Sequence, residues 1–553
     1  MEDEKENSCP RMYGHLCKFH WRGIVLIVTP FLLLPIIIPG YERPLRCLYV
    51  FSLMSIYWLT TAVPLQVTGL LPFVLLPFLG LMDSTPTCKQ YFTVPLAIFI
   101  GGAIVGLSIE SSNLGKRVAL GLLTVLGVSP KRIIITLILT TGFFSMWMQN
   151  TITTAMMLPL VKAVLDEFEA GGLKIKEDKK PEQDEENRES SHIATGYYLA
   201  VCYSATIGGC ASLIGTSTNI ATKGQYENLF VNTTDIIDFP KALAYNIPWV
   251  LVALVLLYFT LLMTHFGLFR PKSVTGAALS SFTKSSNEVT TAVKQKFEDM
   301  GPMSIHEIQV AIISILMIFL LTFQSPGIIT GWADPMNKKG FIKGATPMIA
   351  VVVMLFYFPA RYTFFKFCCG KGPFPSSAEK PLLSWKYVNN NFPWGIVFVL
   401  GSGFALSKSF IESGLSLWLA DKVSTFNGLP LPVLQLFSLL VSAFLTTFTL
   451  NTGVCNIVVP IIAEIARNAQ THPLNLIYPA GLGCCVAFLL PISTPPNALV
   501  AEQANISWKK MFVGGLIPTF TTIILIYLNS LSWHFIVFPA TKDYPAWADL
   551  QKK

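Results

Sequence analysis

Ser145-Met-Trp-Met-Gln-Asn-Thr-Ile-Thr-Thr-Ala-Met-Met-Leu-Pro159 decides how the chain must be read. Its flanks are apolar, yet its middle holds Gln149, Asn150, Thr151, Thr153 and Thr154. Amides and hydroxyls have no use facing lipid, so they must meet protein, trapped water or a ligand. The pattern recurs as Thr446-Thr-Phe-Thr-Leu-Asn-Thr-Gly-Val-Cys-Asn-Ile-Val-Val-Pro460, where Pro again lies nine positions after the Asn. Upstream, Glu110 precedes Asn150 by 40 residues and Glu412 precedes Asn451 by 39. Downstream, Gly215-Thr-Ser-Thr-Asn219 answers to Ser493-Thr-Pro-Pro-Asn497. A duplicated apolar chain with a polar break in each half is the signature of a secondary transporter.

Composition agrees. Of 553 residues, 52% are hydrophobic and 13% charged, with a mean hydropathy of +0.54. Soluble domains carry roughly 25% charged residues, so a polytopic membrane protein is expected. The net charge of +8 is accounted for by basic cytoplasmic loops and implies no nucleic-acid partner. The eleven Cys, with Cys368-Cys369 and Cys484-Cys485 adjacent, follow no metal spacing. H-E-x-x-H, nucleotide and intramembrane Ser/His or paired Asp patterns are absent from the sequence, which argues against a membrane enzyme.

Hydropathy sets the expected layout. Residues 1–22 form a polar cytoplasmic segment, and 23–165 hold the first repeat's scaffold helices and a hairpin split at Asn150-Thr151. Residues 166–194 are a charged cytoplasmic linker, and 195–265 are a broken helix followed by a span. After a second polar linker at 270–306, residues 307–467 carry the second repeat's scaffold helices and an outward-facing hairpin. A broken helix and last span fill 474–537, leaving 538–553 as an extracellular tail. The limbs of each hairpin are too short to cross alone, which favours re-entry. The sum is an all-α, inverted-repeat protein with about eleven transmembrane helices and two re-entrant hairpins. Asn232-Thr-Thr234 is a glycosylation sequon on the expected outer side.

Phe19-His-Trp-Arg-Gly23, Phe99-Ile-Gly-Gly102, Met146-Trp-Met-Gln-Asn-Thr151, Phe392-Pro-Trp-Gly395, Glu412-Ser-Gly-Leu415 and Thr494-Pro-Pro-Asn497 carry a resemblance over nearly the whole chain. It resembles the divalent-anion/sodium symporter family (solute carrier family 13), near its animal Indy-like group. That resemblance implies a homodimer in the lipid bilayer of the plasma membrane, with a transport domain moving as an elevator. It also implies carriage of di- and tricarboxylates such as succinate and citrate, by sodium symport or sodium-independent exchange. Sodium as coupling ion is the one cofactor it suggests. Substrate contacts carried over fall on Asn150, Thr151, Thr216, Asn451, Thr452 and Pro495. Sodium contacts fall on Ser145, Asn150 and Gly215 in one half, and on Thr446, Asn451 and Ser493 in the other. The sequence departs from the family pattern at Gln149 and Leu450, where Ser is usual, and at Thr61, where Glu is usual. Two alternatives stay open: a sulfate or oxyanion carrier of the same fold, and a sensor that has lost transport.

Overall fold

The fold is taken from a computed structural model that describes residues 9–38, 42–127, 129–170, 190–231, 233–268, 286–325, 330–336, 341–364, 367, 370, 376–422 and 428–549. Asn232, the sequon residue, lies outside the described residues. The chain is all-helical. The first half runs α1 Cys9–Leu32, α2 Arg43–Thr60, α3 Leu65–Thr68, α4 Leu71–Phe78, α5 Ser84–Lys89, α6 Val94–Ser111 and α7 Leu114–Leu126. It continues with α8 Pro130–Trp147, α9 Asn150–Ala170, α10 His192–Gly209, α11 Ser217–Leu229 and α12 Phe239–Thr264. After α13 Ser286–Asp299 come α14 Ile305–Thr322, α15 Ala345–Tyr357, α16 Trp385–Asn391, α17 Trp394–Ser413 and α18 Leu415–Lys422. The second tip and its followers are α19 Leu431–Thr446, α20 Asn451–Asn468, α21 Leu474–Gly483, α22 Pro495–Gln503, α23 Trp508–Leu531 and α24 His534–Val537.

Among the described residues, six segments are long and apolar enough to cross a membrane: Lys18–Ile36, Ser84–Ser111, Phe239–Thr264, Ile305–Thr322, Trp394–Ser413 and Trp508–Leu531. Other expected spans are shorter or interrupted. The run at 64–82, for example, is divided into α3 and α4. At that division the Gly69 Cα comes so near α17 that an added Cβ would sit 2.8 Å from the Phe398 carbonyl oxygen.

The halves repeat one another element by element. Each long helix α6 and α17 ends in a left-handed residue, Asn113 (φ 61) and Gly414 (φ 76), which turns the chain into α7 and α18. Pro159 and Pro460 lie inside the matching helices α9 and α20. The pairs α8·α10 and α19·α21 pack closely in both halves. The halves are also exchanged: α9 packs on α22, and α11 packs on α20. The α8·α10 crossing depends on glycine, since a Cβ on Gly208 would lie 2.3 Å from the Gly142 carbonyl oxygen.

Four stretches differ from the sequence expectation. The N-terminal helix starts at Cys9, inside the segment expected to be merely polar, and bends at His20. The linker expected from 166 is shorter, because α9 continues to Ala170 and Ser191 caps α10 by accepting from the Ala194 N–H. The linker at 270–306 contains α13, whose Val293 and Phe297, with Met300 just beyond its end, pack into the core beside α7. Arg117 holds the turn after α13, donating to Met300 O (3.1 Å), Gly301 O (2.7 Å) and Glu307 Oε1 (2.8 Å). Finally, the tail from 538 folds back, with Ala548 buried and its carbonyl accepting from Arg467 Nε at 3.0 Å.

Candidate functional site

At the first tip, α8 stops where Met148 turns extended (φ −123, ψ 156), and the helix restarts at Asn150. Ser145 Oγ lies 2.9 Å from Asn150 Oδ1 and donates to the Ala205 carbonyl at 2.6 Å. At the second tip, Thr446 Oγ1 lies 2.9 Å from Asn451 Oδ1 and donates to the Cys484 carbonyl at 2.7 Å. The matching residues therefore make matching bonds.

The two breaks are built alike as well. Asn219 Nδ2 donates to the carbonyls of Cys210 (3.1 Å) and Ser212 (2.8 Å), and Asn497 Nδ2 donates to those of Ala487 (2.9 Å) and Leu490 (3.1 Å). Unwound backbone leaves carbonyls without helical partners, and one amide in each loop takes up two of them. A loop serine then ties each break to its tip: Ser212 donates to the Met146 carbonyl, and Ser493 to the Thr447 carbonyl at 2.7 Å. The shared four-residue spacing of Asn219 from Gly215 and Asn497 from Ser493 was the sequence signal for this brace.

Both tips and both breaks wall a single cavity of about 110 Å³. Asn150, Thr151, Thr216, Asn451, Thr452 and Pro495 all line it, as do Gly215, Gln149 and Leu450. Ser217 Oγ and Thr452 Oγ1, one from each half, share a hydrogen bond of 2.7 Å there. Leu65, Ile396 and Val399 close the cavity with an apolar wall that sequence patterning did not mark. Ser145, Thr446 and Ser493 are fully buried behind it. Thr61 is not among the lining residues; it ends α2 in the left-handed region (φ 51).

Among the described residues, none that lines the cavity carries a charged side chain. Electrostatic bias comes instead from the backbone. Four helices begin at the cavity: α9 at Asn150, α11 after Thr216, α20 after Leu450 and α22 after Thr494. The N-termini of α9, α11 and α20 present free N–H groups and roughly half a positive charge each, whereas α22 opens on Pro495-Pro496, which have no N–H to offer. Together they favour an anion without fixing it to a cationic side chain.

The Asn150 side chain bears on whether a cation fits. With its amide nitrogen turned inward, it lies within reach of Ala205 O (3.1 Å), Ser145 Oγ (2.9 Å) and Gly215 O (3.1 Å), and its two N–H groups can serve two of them. With its oxygen inward, four oxygens converge, an arrangement that suits a small hard cation. The seat is tight, since a Cβ on Gly209 would fall 1.8 Å from Asn150 Oδ1. Ser145, Asn150 and the Gly215 carbonyl thus lie together in the first half. In the second half, Thr446 and Asn451 meet through their side chains.

Beyond the cavity the surroundings differ. Ala155 and Pro159, one and two turns along α9 from Thr151, are exposed and border an open space of about 1110 Å³ that Lys116, Lys296 and Lys380 also line. Their counterparts on α20, Asn456 and Pro460, are buried. Asn456 Nδ2 donates to Val399 O at 2.8 Å, and Thr449 Oγ1 donates to Trp58 O at 2.7 Å. Sequence reading also passed over Lys223, buried on α11, whose Nζ meets Glu227 Oε1 at 2.5 Å and Ile237 O at 2.8 Å.

Residues 18–539 match the family described as the sodium:sulfate symporter transmembrane region. The protein "I'm not dead yet" of Drosophila melanogaster is 41% identical over 542 residues, covering 96% of this chain and 92% of the relative. Human Na(+)/dicarboxylate cotransporter 3 is 32% identical over 574 residues (96% and 94%), and the rat Na(+)/citrate cotransporter is 33% identical over 560 residues (95% and 97%). A duplicated helical membrane chain, a charge-free cavity at paired Asn-Thr tips and these full-length matches lead to one assignment: the chain belongs to the sodium:sulfate symporter family, solute carrier family 13.

Proposed function

We propose that this multi-pass membrane transporter carries small di- and tricarboxylate anions, such as succinate and citrate, across the plasma membrane. One observation carries the reading: the N-termini of α9, α11 and α20 and two Asn-Thr pairs meet at one cavity with no charged side chain among its described lining residues. Neutral donors can release an anion that a buried guanidinium would retain. The printed names of the dicarboxylate and citrate cotransporter relatives support carboxylates as the class. Asn150, Thr151 and Thr216 would hold one end of the substrate, and Asn451, Thr452 and Pro495 the other.

Sodium is the proposed co-substrate, held at Ser145, Asn150 and Gly215 and, in the second half, at Thr446, Asn451 and Ser493. The cotransporter names of the relatives support it. A second reading, sodium-independent exchange, is favoured by the inward orientation of the Asn150 amide nitrogen, whose two N–H groups can engage the surrounding oxygens without an ion. Alternating access would come from sliding the two tips and breaks against the remaining helices, within a homodimer. The protein reconstituted in vesicles should take up labelled succinate and citrate in competition with each other. Loss of uptake when choline replaces sodium identifies symport, and unchanged uptake identifies exchange. Uptake of sulfate with no carboxylate flux would overturn the substrate class.

A further inference from the structure

Gln149 stands immediately before α9, where Leu450 stands before α20. Both line the cavity, and among the three lining tip pairs this is the one where the two halves present opposite chemistry. Gln149 is only 5% exposed, and its Nε2 has no hydrogen-bond partner among the described residues. A primary amide nitrogen can only donate. Buried without an acceptor, it costs stability that nothing within the fold returns.

Two neighbouring polar groups are engaged: Asn150 Oδ1 accepts from Ser145 Oγ, and the Thr452 hydroxyl shares its bond with Ser217. Thr218 Oγ1, also in the lining, lacks a partner among the described residues but, as a hydroxyl, can accept as well as donate. The free donor of Gln149 therefore calls for an acceptor from outside the protein. An N–H group repels a cation and attracts a carboxylate oxygen, which is acceptor-only and charged. At the other tip, Leu450 offers nothing of the kind.

We infer that Gln149 is a specificity-determining residue that donates from Nε2 to one carboxylate of the substrate, so that the dianion binds with a preferred end at the first tip. This rests on the carboxylate reading of the cavity. The substrate's two ends are then held unequally: one meets an amide donor beside Asn150 and Thr151, and the other meets Leu450 beside Asn451 and Thr452.

The test uses the purified full-length protein with succinate as the probe, reading affinity together with the melting temperature before and after ligand is added. Gln149→Leu should weaken succinate binding about tenfold, the usual scale for losing one hydrogen bond to a charged group. Its ligand-free melting temperature should be unchanged or higher, because an unpartnered buried amide has been removed. Gln149→Met, which keeps the length without the donor, should behave alike if leucine packs poorly. Gln149→Glu should bind more weakly still, since one carboxylate would face another. Asn150→Ala serves as the site control. Succinate affinity within twofold of the parent in Gln149→Leu and Gln149→Met, with binding lost in Asn150→Ala, overturns the inference and leaves the site standing. A lower ligand-free melting temperature with unchanged affinity assigns Gln149 a structural role and overturns it too. Normal binding in Asn150→Ala would instead remove the carboxylate site itself.

Discussion

The α8–α9 pair and the α19–α20 pair are built to the same internal plan and set in different surroundings. Ser145 and Thr446 bond the following Asn at the same 2.9 Å, and each also donates to a carbonyl of its broken helix. Outside that shared frame they part. Residues 451–460 are buried throughout and docked on α17 and α2, whereas Ala155 and Pro159 along α9 are exposed beside an open space. One side is covered and the other opens on a vestibule, the asymmetry that the proposed alternating access calls for in a single state.

The covered side is also clasped from beyond its helix. Arg467, near the end of α20, stacks over Phe230 at 4.3 Å, donates to Leu229 O at 2.8 Å and to Ala548 O at 3.0 Å, and pairs with Glu464. Arg467→Leu would leave Glu464 buried without its partner, and should lower stability by about 3–5 kcal/mol. Thermal unfolding of the purified protein measures it. A negligible shift would show that the tail does not hold the second pair.

If the tips are equivalent in function, Asn150→Ala and Asn451→Ala should each reduce succinate affinity on the order of 100-fold, as expected for losing hydrogen bonds to a charged ligand at a buried site. A large loss in one variant alone would break the symmetry of the proposed site. Accessibility sharpens the contrast next. In a background with exposed Cys88 replaced by Ser, a cysteine at Ala155 should react with a membrane-impermeant thiol reagent roughly tenfold faster than one at Val454. Equal rates would mean that both pairs are open, or both closed.

The smallest effect concerns pH. His472 lies in the turn between α20 and α21, where burial pushes its imidazole below the ordinary value while Asp235, 3.2 Å away, pulls it upward. With the folded value depressed, stability is fully present above the ordinary histidine value of about 6.5 and is lost as pH falls through the folded value. His472→Gln should flatten this acid-side decline by less than about 1 kcal/mol, read as the difference in melting temperature between neutral and mildly acidic buffer. An unchanged slope would show that other groups govern it.

Much of the site was legible in the sequence because its parts are local and occur twice. Asn150-Thr151 and Asn451-Thr452, with Pro at a fixed distance, mark a polar break in an apolar run whatever surrounds it. The repeats likewise announced that Gly215-Thr216 and Ser493-Thr494 would meet the tips. What escaped depends on partners distant in sequence. Among its described side chains α13 buries Val293 and half-buries Phe297, with Met300 just beyond its end, at spacings of four and three residues in a Lys- and Ser-rich stretch, so hydropathy hides it. The backfolded tail rests on Arg467 meeting Ala548, 81 residues away, and on Trp547 meeting Tyr226 and Phe230. Lys223, which sequence reading passed over, is held by Glu227 one turn on and by the distant Ile237 carbonyl.

The most direct measurement is a structure of the full-length protein with succinate bound, determined in lipid. Substrate density bridging Asn150-Thr151 and Asn451-Thr452, with its carboxylates at the helix N-termini, is the expected result. Substrate seated elsewhere, or held at one tip with the other walled off, would contradict a shared anion site.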